Sequence, residues 1–144
     1  MTSNLEMTPS VRDVKVFPLK TFDAIGTLVF VENHRPVPFV IERVFSVSGV
    51  PAGSVRGDHT HKECRQALVC LQGVCSVLCD DGREKKTFEL RGPGSLLYIP
   101  AMIWASETYV VENTVLLVLA DQPYSASDYI RDYEEYLRLR GVTP

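Results

Sequence analysis

Residues 53–66 read GSVRGDHTHKECRQ, with two histidines one residue apart among basic side chains. Strand side chains alternate between faces, so in extended backbone His59 and His61 share one face while Asp58 turns to the other. In a small barrel that shared face would be the interior, where a ligand cavity can form. Two chemistries fit such a pair: neutral imidazoles that ligate a metal, or acid/base groups serving an anion held by nearby Arg43, Arg56 and Lys62. Arg65, two positions beyond Glu63, reads instead as a surface residue.

The chain around this stretch is strand-like. Short apolar runs at 14–17, 27–31, 39–47, 67–71, 74–79, 85–90, 95–99, 108–112 and 115–119 alternate with turn residues such as QG (72–73), DDGR (80–83) and RGPG (91–94). Asp81-Gly82 between two runs marks a hairpin, because glycine accepts the positive φ of a tight turn. Many short strands at regular spacing predict an all-β barrel or sandwich. The period then changes. SASDYIRDYEEYLRLR (125–140) has apolar or aromatic residues at 130, 133, 136, 137 and 139. That spacing predicts a helix at about 126–139, with Ser125 and Asp128 as a capping box. A flexible N-terminus is expected over 1–12 and a single domain over 13–140.

Composition narrows the function classes. The chain has 144 residues, 45% hydrophobic and 23% charged, with net charge −3. No basic excess points to nucleic acid, so an anion would be bound by a local patch. No apolar stretch reaches the roughly 18 residues of a membrane span, and the start lacks the pattern of a signal peptide, so a cytoplasmic location away from membranes is expected. Cys64, Cys70, Cys75 and Cys79 lack paired C-x-x-C spacing and read as reduced, buried thiols.

The histidine spacing resembles the first motif of the cupin superfamily: Gly53, five residues, His59-Thr60-His61, four residues, Gln66, six residues, Gly73. Glutamine stands where that motif has a carboxylate ligand. In GPGSLLYIPAMIWA (92–105), Ala105 falls where the second motif ends in histidine. Two imidazoles, an amide and a methyl group make a poor divalent site, so neither metal nor cofactor is expected, and the pair reads as acid/base or hydrogen-bonding residues. The implied fold is an all-β cupin barrel, or jelly roll, with a C-terminal helix.

From about 25 to 136 the chain also resembles the sugar 3,4-ketoisomerases, on PFVIERVF (38–45), RGDHTHK (56–62), QALVCLQG (66–73), DDG (80–82), VLADQPYSASDYIRDY (118–133) and Trp104. That resemblance implies a metal-free isomerase acting on dTDP-4-oxo-6-deoxyglucose in deoxysugar synthesis, and a homodimer sharing N-terminal strands. It implies His59 as the base that removes the C3 proton, with His61 as its partner. Arg43 and Arg56 would hold the diphosphate or thymine end, with Lys62 as an accessory. Gln66, Tyr98 and Trp104 complete the expected substrate site. The chain departs from the family at Ser46, usually aromatic, and at Ala105-Ser106, usually a polar residue followed by glutamate. Three other readings stay open: an epimerase on the same 4-oxo sugar, a non-catalytic sugar-nucleotide binder, and a metal-dependent cupin.

Overall fold

The computed structural model describes residues 8–144, so the first part of the expected flexible N-terminus lies outside the described residues. From residue 10 onward the chain is tied down. Ser10 caps a 3-10 turn at Val11–Asp13, and Val11 is buried with its N–H donating to Asp81 Oδ2 at 2.9 Å.

The strands run β1 (Lys15–Pro18), β2 (Thr21–Ala24), β3 (Gly26–Val29), β4 (Glu32–Asn33), β5 (Pro36–Val37), β6 (Arg43–Val47), β7 (Ser54–His61), β8 (Gln66–Gln72), β9 (Val74–Asp80), β10 (Lys85–Arg91), β11 (Ser95–Ile99), β12 (Trp104–Tyr109), β13 (Val115–Ala120) and β14 (Tyr129–Ile130), followed by one helix, α1 (Tyr133–Leu139). Two five-stranded sheets form, in orders β1-β11-β8-β13-β6 and β10-β9-β12-β7-β14. This is the cupin-like β-sandwich expected from the sequence. β9 and β10 close around Asp81-Gly82, the expected hairpin, with Gly82 at φ 92°.

Between the sheets lie Leu68, Cys70, Cys75, Val77, Cys79, Leu97, Leu116 and Val118. A second cluster, with Phe39, Ala67, Val69, Leu96 and Leu119, buries the outer face of the first sheet. Both faces of β8 are therefore covered, which is why ALVCL reads as a continuous apolar run rather than an alternating one. All four cysteines are buried and free.

The C-terminal segment differs from the sequence expectation. The helical period over 126–139 resolves into a 3-10 turn at Ala126–Asp128, then β14, and α1 begins only at Tyr133. Ser125 makes no capping hydrogen bond; Asp132 caps α1 by accepting from the Glu134 and Glu135 N–H groups. Pairing with β7 wins over helix formation at Tyr129 and Ile130, because it buries Ile130 beneath Trp104 and Tyr136. The run expected as one strand over 39–47 likewise keeps strand geometry only from Arg43.

Candidate active site

β7 lies between β12 and β14 and carries the histidines. The register slips between Ala105 and Ser106: Ala105 pairs with His59, but Ser106 pairs with Gly57, leaving Asp58 as the extra residue of a bulge. Gly57 and Asp58 both take positive φ, 79° and 59°. Plain alternation would put Arg56 and His59 on opposite faces. The bulge absorbs one residue and brings both to the lining of one cavity of about 240 Å³, with Glu107, Gln66, Tyr129 and Arg131. Asp58 faces away and accepts a hydrogen bond from Trp104 Nε1 at 2.9 Å.

His59 and His61 meet edge to face with ring centroids 5.1 Å apart, and Tyr129 packs on both at 5.0 and 4.4 Å. His61 Nδ1 lies 3.1 Å from Asp128 Oδ2, while His61 Nε2 and His59 Nδ1 are buried without a partner. Burial lowers both imidazoles: His61 to about 4, helped by His59 and opposed by Asp128, and His59 below its ordinary value. Both are neutral at pH 7. A neutral His61 donates from Nδ1 to the carboxylate, which leaves Nε2 as a lone-pair acceptor. Asp128 also accepts from the Glu63 and Cys64 N–H groups, so the aspartate read as a helix cap is the anchor of the histidine turn.

The remaining expected site residues divide. Gln66 lines the cavity floor. Arg43 shares the inner face of β6 with Phe45 and Val47, its guanidinium carbon 5.4 Å from the Phe45 ring and 5.7 Å from that of Tyr124, and its Nε is buried and unpaired. Three of the expected residues stand away from this cavity. Lys62 is exposed and lies outside the cavity with its neighbour Glu63. Tyr98 belongs to the cluster on the outer face of the first sheet, 6.4 Å from Phe39. Trp104 is buried under α1 against Tyr133 and Tyr136. Arg65, read as a surface residue, grips Asp121 through Nε at 2.7 Å. Ser46 pairs with Leu117 one position off the inward series Arg43, Phe45 and Val47, so its departure from the family pattern lies on the outer face.

Sequence reading missed Glu107, Tyr129, Arg131 and Asp128. Glu107 was within reach, because it stands two residues beyond Ala105 and so shares its face. His61, Cys64 and Asp128 offer ligand atoms within 4.8 Å of one another, the one such group among the described residues. The fit to a metal is poor. The Asp128 carboxylate already accepts from His61 and two backbone N–H groups, and burial raises the Cys64 thiol, against formation of the thiolate a metal needs.

The family model described as FdtA: WxcM-like, C-terminal, matches residues 12–141. The chain belongs to this family. The FdtA-family chain is 36% identical over 117 residues to the TDP-4-oxo-6-deoxy-alpha-D-glucose-3,4-oxoisomerase of Aneurinibacillus thermoaerophilus, covering 81% of this chain and 84% of that one. A 3,4-ketoisomerase from Helicobacter canadensis superposes with TM-score 0.85 at 34% identity, covering 90% and 98%. The sugar 3,4-ketoisomerase QdtA from Thermoanaerobacterium thermosaccharolyticum, solved with TDP, gives 0.86 at 33% identity, covering 92% and 97%. A histidine-to-asparagine mutant of that enzyme was solved with TDP-4-keto-6-deoxyglucose.

Proposed function

We propose that this FdtA-family chain is a sugar-nucleotide 3,4-ketoisomerase, moving the carbonyl of a TDP-4-oxo-6-deoxyhexose from C4 to C3 in deoxysugar biosynthesis. The observation that carries the reading is His59, which lines a cavity with Arg56 and Arg131 and shares an adjoining recess with His61, each imidazole keeping one buried ring nitrogen without a partner. Family membership and the activity of its relatives supply the reaction.

A carbonyl acidifies the C–H beside it, so the 4-oxo group makes the C3 proton removable by an imidazole that is neutral at working pH. His59, lining the cavity with Arg56, is the base that takes this proton, forms the enediolate and returns a proton to C4. His61, fixed by Asp128, orders His59 through their edge contact and keeps Nε2 free to relay a proton. Arg56, Arg43 and Arg131 supply charge for the diphosphate, with Arg as the fork suited to phosphate oxygens. Binding through the nucleotide then positions the sugar over the histidines. Lys62 and Tyr98 have no place in this account, and Trp104 acts on the bulge from outside.

We further read the working unit as a homodimer. Phe22 and Leu28 on the β2–β3 ribbon and Phe30 just after it are exposed in the single chain, as are Val16 and Val44. Covering that apolar surface and the free strand edges with a second copy accounts for it. Four buried free thiols suit a cytoplasmic setting. Among the described residues no helix is long and apolar enough to cross a membrane.

The test is His59→Asn with TDP affinity measured beside turnover. A ketoisomerase loses turnover by a factor of about 100 or more and keeps TDP affinity. Unchanged turnover overturns the assignment of His59.

A further inference from the structure

Glu107 faces the cavity from β12 opposite Arg56, and shares a recess with His59 and Ala105. Two features make room for it. Ala105 ends at a methyl group, leaving the wall between His59 and Glu107 low. Gly57 lacks a Cβ, and one added there would overlap the Glu107 carboxyl. Glu107 makes no salt bridge with another described residue. The barrel thus holds a carboxyl group free of any salt bridge to a described residue beside the proposed base.

We propose that Glu107 carries the proton between the oxygens on C3 and C4 of the sugar during carbonyl migration. This rests on the ketoisomerase reading and assigns the half of that reaction which the histidine leaves undone. Carbonyl migration moves two hydrogens. The C3–H bond breaks and a C4–H bond forms, through His59. The O–H bond of the 3-hydroxyl also breaks, and one forms on the oxygen of C4. C3 is oxidised from carbinol to carbonyl while C4 is reduced by the same two electrons, so no external oxidant enters. A carboxyl group suits the oxygen-to-oxygen step. Its OH donates to the C4 oxygen as the enediol forms, its other oxygen accepts the 3-hydroxyl proton as the enediol collapses, and the carboxylic acid is restored.

The surroundings keep that proton available. Burial pushes Glu107 up to about 7, opposed by a hydrogen bond from its own backbone N–H and by the Arg56 charge, with Asp58 adding to the rise. From β9, Cys75 and Cys79 face the same carboxyl as uncharged thiols, both pushed up to about 12 by burial. Gln66 of β8 and Arg131 after β14 complete the polar lining.

Glu107→Gln separates proton transfer from hydrogen bonding, because glutamine keeps a donor and an acceptor in place but cannot pass a proton through itself. With TDP-4-oxo-6-deoxyglucose in D2O, three quantities are read: TDP affinity, C3 hydrogen exchange and 3-oxo sugar formation. E107Q should bind TDP and exchange C3 within about threefold of the wild type, and form the 3-oxo sugar about 100-fold more slowly. E107A, lacking the hydrogen bonds to the enediolate, should lose C3 exchange as well. Product formation by E107Q within about threefold of the wild type overturns the proposal. Parallel loss of exchange and product in E107Q also overturns it, since that marks a substrate-orienting residue. A wild-type protein that forms no 3-oxo sugar overturns the ketoisomerase reading itself.

Discussion

His61 Nδ1 sits 3.1 Å from Asp128 Oδ2, so an imidazole on β7 takes its orientation from a carboxylate 67 positions along the chain. The carboxylate fixes the proton on Nδ1 and leaves Nε2 bare inside the barrel. An asparagine there can turn its NH2 toward the ring and reverse the tautomer. Asp128→Asn should therefore lower kcat by about 10- to 100-fold with little change in TDP affinity, read by steady-state kinetics and titration calorimetry. Wild-type kcat in D128N would remove Asp128 from the account.

Gly57 is constrained twice, by its positive φ and by the Glu107 carboxyl in the space a Cβ would fill. Gly57→Ala should cost about 1–3 kcal/mol in denaturant unfolding and reduce turnover, because the bulge that brings Arg56 beside His59 must deform. Equal stability of G57A and the wild type would show that the bulge is not under this constraint.

Trp104 holds the bulge from outside through its Nε1 bond to Asp58 and packs under α1. Trp104→Phe keeps most of the packing and loses the bond to a carboxylate at a positive-φ residue. A loss of about 1–2 kcal/mol is expected in thermal or denaturant melts, with a smaller effect on turnover than on stability. A large rise in KM without a fall in Tm would instead put Trp104 at the substrate.

pH acts on stability through His61 with a definite sign. Its folded value, about 4, lies below the 6.5 of a free imidazole. Between pH 6.5 and 4 the unfolded chain binds a proton that the folded chain refuses, so stability is complete above 6.5 and falls as pH drops through that window. The loss attributable to His61 is on the order of 2–3 kcal/mol by pH 4. Glu107, raised from 4.5 to about 7, has the opposite slope between those values, which partly hides it. His61→Asn should flatten the acid-side decline seen in urea melts between pH 6.5 and 4. An unchanged slope in H61N would mean that His61 is not desolvated as the structure places it.

The fold was legible because turn residues and short apolar runs are local signals, and because His59 and His61 obey strand alternation. Arg56 was chosen for its charge, but its place beside His59 depends on a bulge, which a period-two reading cannot count through. Tyr98 and Trp104 lie away from the cavity, as polar-tipped aromatics on covered outer faces, which composition does not distinguish from an interior. Asp128 matched a capping pattern, and only the pairing of β14 with β7 turned it toward His61. Glu107 required following the inward face two residues beyond Ala105.

The most direct test of the account is proton NMR of chelator-treated protein with TDP-4-oxo-6-deoxyglucose in D2O. The account predicts loss of the C3 proton signal together with the appearance of a 3-oxo sugar, the C4 coupling reporting the configuration set on reprotonation. Exchange or inversion without carbonyl migration would contradict it in favour of epimerisation, and an unchanged sugar in the presence of bound nucleotide would contradict it in favour of a binding protein.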